Sequence, residues 1–77
     1  MLEAILCMLD EIRPEFDYKE SNNFIEDGLL DSFDIISLVN MIEEKYDIKI
    51  DGLDIIPENF FDAEAIVRLV KKSGGNI

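Results

Sequence analysis

The residues best suited to chemistry are Asp31, Ser32 and Asp34, a hydroxyl set between two carboxylates. At the start of a helix such a hydroxyl lies beside the positive end of the helix dipole. A phosphodiester on that oxygen would be favoured there, as anions are at helix N-termini. Serine is equally at home in a first turn as an extra capping group. The residues alone leave both readings open. Direct catalysis finds little support. The chain has no histidine, which removes the commonest general base and the commonest transition-metal ligand. No spacing supports a Ser–Lys pair. The carboxylates are scattered over faces expected to be solvated, without a cleft to raise a pKa. Asp47, Asp51 and Asp54 resemble an interrupted calcium loop, but the glycine and terminal glutamate of an EF-hand are misplaced. No dedicated metal site and no enzyme activity are expected.

Composition narrows the classes further. The chain has 77 residues, enough for one domain with one core, here expected to span 1–77. Hydrophobic residues make up 48% of it, too many for a disordered chain. The single cysteine, Cys7, excludes an internal disulfide and gives no zinc pattern. The formal net charge is −11, from 18 acidic and 7 basic residues. Binding to nucleic acid or to an anionic membrane is disfavoured by that charge, whereas basic surfaces on partner proteins would be attracted. No apolar run approaches the roughly 18 residues of a membrane span, and the N-terminus lacks a signal peptide's basic flank. A soluble, cytoplasmic monomer without membrane insertion is expected.

Several elements must hold the Asp31–Asp34 stretch in place. The run from Ser32 to Tyr46 reads as a helix, with Asp31 at the N-cap and Asp34 completing a capping-box-like pair. Successive residues lie about 100° apart on a helix. Ile35, Leu38, Val39, Ile42 and Tyr46 then form the core stripe. Phe33, Ile36 and Met41 fall outside it, beside Ser37, Asn40 and Glu44. That second face could meet a partner, or the long upstream loop could fold over it. Both alternatives fit.

Leu2, Ile5, Leu6, Leu9 and Ile12 keep helical spacing, so a first helix is expected near 2 to 13, stopped by Pro14. Cys7 lies off that stripe, with no basic group placed to ionise it. Residues 14 to 30 show no period and read as a loop. Phe16, Phe24, Ile25, Leu29 and Leu30 should pin it to the core, and Gly28 should make its last turn. The stretch from Asp47 to Gly52 reads as an extended connector that inserts Ile50, and Pro57 should open a short helical turn. Asp62 should cap a last helix whose apolar residues are Ala63, Ile66, Val67, Leu69 and Val70. Ser73-Gly74-Gly75-Asn76 should end it. The expected fold is all-α: a small four-helix bundle with three longer helices, one short third helix, and a long loop between the first two.

The chain also resembles a known family. Gly28-Leu29-Leu30-Asp31-Ser32-Phe33-Asp34, followed by Leu38-Val39 and Ile42-Glu43-Glu44-Lys45-Tyr46, is similar to the signature of acyl carrier proteins. Pro57-Glu58-Asn59-Phe60 and the short apolar helix after it are similar to the end of many carrier domains. The resemblance implies the same four-helix, long-loop layout. It implies that Ser32 bears a 4′-phosphopantetheine arm, transferred from coenzyme A by a phosphopantetheinyl transferase, with Asp31 as its acidic flank. It implies a carrier that holds acyl or aminoacyl thioesters. Partners would include a loading ligase and downstream acyltransferases or synthases of fatty acid, polyketide or nonribosomal peptide biosynthesis. Phe33, Asp34, Ile36, Asn40, Met41 and Glu44 match the face that such partners grip. Phe33 stands where the family usually has Leu, and with Leu30 this is similar to D-alanyl carrier proteins and related stand-alone carriers. The competing reading is a small acidic helical interaction module without a prosthetic group.

Overall fold

The computed structural model describes residues 1–19 and 21–74. It is all-helical, built on α1 (Leu2–Ile12), α2 (Ser32–Tyr46) and α3 (Ala63–Lys72), with no strand among the described residues. Pro14 ends α1 as expected. Arg13 leaves the helix at φ −139° and ψ 83°, in the extended territory to which a following proline drives its neighbour.

α1 packs against both α2 and α3. That double contact rolls it away from the expected stripe. Ile5 and Leu9 are buried, but Met8 joins them while Leu2 stays 41% exposed. α1 and α2 run antiparallel. Arg13 at the end of α1 pairs with Asp34 at the start of α2, while Cys7 and Met8 share a groove with Met41 and Lys45. In α2, Leu38, Val39 and Ile42 are buried, and Ile35 and Tyr46 pack partly against the core. Asp47 ends the helix in the left-handed region at φ 53°, which Asp tolerates better than most residues.

The connector inserts Ile50 as expected, and the Ile50 N–H donates to Glu43 Oε2 at 2.9 Å. The expected short third helix takes another form. Gly52–Asp54 and Pro57–Asn59 each make a single 3-10 turn. Asp51 caps the first through the Leu53 N–H at 2.9 Å, and Pro57 opens the second. Each is too short for the i→i−4 bonds of an α-helix, and 3-10 bonding suits such connectors. The described residues therefore hold three α-helices and two 3-10 turns.

Asp62 caps α3 by accepting from the Ala65 N–H at 2.7 Å. Its buried face is Ala65, Ile66, Leu69 and Val70, with Ala63 and Val67 at the margin. Ser73 and Gly74 follow α3; Gly75 and Asn76, the rest of the expected ending, lie outside the described residues.

The loop between α1 and α2 is tied down at Phe24. This side chain is 1% exposed. Its N–H donates to the Phe61 carbonyl at 2.6 Å, and its carbonyl accepts from Leu29 and Leu30. Asn23 Oδ1 accepts from the Ile25 and Glu26 N–H groups, both at 3.0 Å. Gly28 closes the turn at φ 74°, a conformation that costs glycine no steric strain. Tyr18 adds a core residue the pattern did not reveal. Its ring meets Phe24 edge-on at 5.2 Å. No helix among the described residues is long and apolar enough to cross a membrane.

Candidate functional site

The α2 N-terminus is built by reciprocal capping. Asp31 Oδ1 accepts from the Asp34 N–H at 2.9 Å, and Asp34 Oδ2 accepts from the Asp31 N–H at 3.3 Å. Ser32 is the first residue of α2 and is exposed. Among the described residues its hydroxyl has no hydrogen bond, and the Ser32 and Phe33 N–H groups have no partner there either. These are donors that every helix start leaves over. The chain's other serines differ. Ser21 Oγ donates to Asp27 at 2.6 Å, Ser37 lies inside α2, and Ser73 follows α3.

Phe33 is 84% exposed and Ile36 51% exposed. The described part of the upstream loop therefore does not cover them, which sets aside loop cover for these two residues. Asn40 and Glu44 are exposed on the same side. Leu53, in the first 3-10 turn, adds a second highly exposed apolar residue.

Two of the expected partner-facing residues are placed otherwise. Met41 is only partly exposed, packed against the core at a groove of about 620 Å³ between α1 and α2. Asp34 is 7% exposed, so its carboxylate is not offered to solvent. The reason is Arg13. Its Nε donates to Asp34 Oδ1 at 3.3 Å and Oδ2 at 3.1 Å, and its Nη2 donates to Asp31 Oδ2 at 3.3 Å. The hydrogen bond to Asp34, then the charge of Asp34, push the Arg13 pKa up and hold the guanidinium still more firmly charged. Sequence reasoning missed Arg13. Its one signal was a cation directly before the proline that ends α1, in a chain with few cations.

Tyr18 lies near this cluster. Burial pushes its pKa up to about 12, with the negative charges of Asp34 and Glu15 adding to the effect. Its hydroxyl is buried and has no hydrogen-bond partner among the described residues.

Two of the three carboxylates that resembled a calcium loop are occupied separately. Asp51 caps the first 3-10 turn, and Asp54 pairs with Lys72 at 3.0 Å. Cys7 is exposed on α1. Comparison of the chain with models of known protein families, with curated proteins and with solved structures returns no match.

Proposed function

We propose that the protein is a carrier: Ser32 bears a 4′-phosphopantetheine arm whose thiol holds acyl or aminoacyl groups as thioesters. The observation that supports this most is an exposed, unbonded Ser32 hydroxyl on the first turn of α2, beside two unpartnered N–H groups. A phosphodiester there meets backbone donors and the positive helix end together. On this reading the two 3-10 turns stand for the short third helix of a four-helix carrier layout.

The chain acts as a carrier and not as a catalyst. Tethering raises the effective concentration of the thioester at each partner's active site. Phe33 and Ile36, ringed by Asn40 and Glu44, form the docking face. An apolar centre with the Glu44 carboxylate at its edge fits a partner that brings a basic group to that edge, and such contacts form fast and weaken with salt. The partners are a phosphopantetheinyl transferase, a loading ligase and a downstream acyltransferase or synthase. A cytoplasmic location goes with this reading.

Incubation with coenzyme A and a broad-specificity phosphopantetheinyl transferase tests the proposal. The intact mass should rise by one arm, and Ser32→Ala should abolish the rise. An unmodified wild-type protein contradicts the carrier. The exposure of Phe33 also favours a second reading, an interaction module without a prosthetic group. That module would form a stable partner complex indifferent to Ser32→Ala.

A further inference from the structure

The α2 N-terminus poses an electrostatic problem for any phosphate at Ser32. Carboxylates stand one residue before the hydroxyl and two residues after it. A phosphodiester anion would meet two like charges within the first turn. Arg13 answers that problem, and among the described residues it makes the only ion pairs with Asp31 and Asp34.

Its position is fixed by the chain. Pro14 ends α1 at this point, and the Arg13 N–H still bonds the Leu9 carbonyl at 3.0 Å. The side chain then spans from the end of α1 to the start of α2. Its guanidinium is not used up by the two acids. Arginine has five N–H donors. Nε–H is shared by the two Asp34 oxygens and one Nη2 hydrogen goes to Asp31. The other three donors make no bond among the described residues, and the side chain is 41% exposed. A planar, partly exposed guanidinium with spare donors is the side chain best shaped for a phosphate.

We propose that Arg13 is the phosphate-binding residue of the Ser32 site: it neutralises the Asp31–Asp34 pair and gives its spare donors to the phosphodiester formed on Ser32. The inference rests on the carrier reading. In the transfer, a bond forms between Ser32 Oγ and the pantetheine-bearing phosphorus of coenzyme A. The pyrophosphate P–O bond breaks, adenosine 3′,5′-bisphosphate leaves with the electron pair, and the hydroxyl proton passes to a base of the transferase. Arg13 stabilises the charge on the transferring phosphoryl group and then holds the product.

Loading kinetics with coenzyme A and a broad-specificity transferase test this on wild type, Arg13→Ala, Arg13→Lys and Ser32→Ala. Both Arg13 variants should lose about tenfold in kcat, the scale of one charge-assisted hydrogen bond, with the KM for the carrier changed less than twofold. Arg13→Lys keeps the charge without the fork, so it carries the test if Arg13→Ala unfolds. In the wild-type protein the Arg13 Nη–H resonances, which carry the spare donors, should move on loading, while a purely structural role would leave them in place. Wild type that loads on Ser32, with variants at wild-type kcat or unmoved Nη–H resonances, overturns the role of Arg13 and leaves the carrier standing. Wild type that does not load overturns both.

Discussion

The Arg13 Nε donates to both carboxylate oxygens of Asp34, at 3.3 and 3.1 Å, across 21 residues of chain. This contact joins the end of α1 to the start of α2. It also explains why an acidic residue is the one charged side chain buried among the described residues. A buried carboxylate is tolerated when it is paired and hydrogen-bonded, and Asp34 accepts from Arg13 and from the Asp31 N–H together.

Asp34→Ala should therefore cost more than a capping residue alone. It removes half of the capping box and leaves Arg13 without its principal partner. We expect a loss of about 2 kcal/mol in urea denaturation at neutral pH. A change below about 0.5 kcal/mol would show that the contact contributes nothing to folding.

Tyr18 makes stability sensitive to alkali. Its folded pKa, pushed up to about 12, lies above the ordinary value of 10.0. Between those values the unfolded chain binds fewer protons than the folded one, so stability falls as pH rises. The contribution is fully present below pH 10 and is lost as pH climbs through about 12. Tyr18→Phe should remove this alkaline loss. At pH 7 it should stay within about 0.5 kcal/mol of wild type, because the hydroxyl has no hydrogen-bond partner among the described residues. Urea titrations at neutral pH and near pH 11 check both expectations.

How far these features could be read beforehand follows from their range along the chain. The Asp31–Asp34 capping box, the stop at Pro14 and the turn at Gly28 are local, and the spacing of residue types carries them. The core stripe of α2 is a periodic property and is equally readable. Arg13 reaching Asp34 is a contact between elements, and no local pattern contains it. Met8 entered the core because α1 meets two helices at once, which sets its roll. Tyr18 carries a hydroxyl, so its hydropathy conceals a buried ring that packs on Phe24. The 3-10 turns fall in a stretch where Gly52 and Pro57 interrupt every period. At the candidate site, the exposure of Phe33 and Ile36 needed the path of the loop, which only the structure supplies.

The α2 face should behave as a docking surface that contributes nothing to folding. Phe33→Ala and Glu44→Lys should each leave stability within about 0.5 kcal/mol of wild type, since both residues are exposed. Both should raise the KM for the transferase. The Glu44→Lys effect should be largest at low salt and shrink as ionic strength rises, as for any exposed charge contact. Unfolding of either variant, or an unchanged KM at low salt, would mean that the face is misassigned.

The most direct measurement is tandem mass spectrometry of the chain after incubation with coenzyme A and a phosphopantetheinyl transferase. Fragmentation separates Ser21, Ser32 and Ser37 within one stretch of sequence. The account predicts a single added arm, all of it on Ser32. A chain that stays unmodified, or an arm found on another serine, would contradict it.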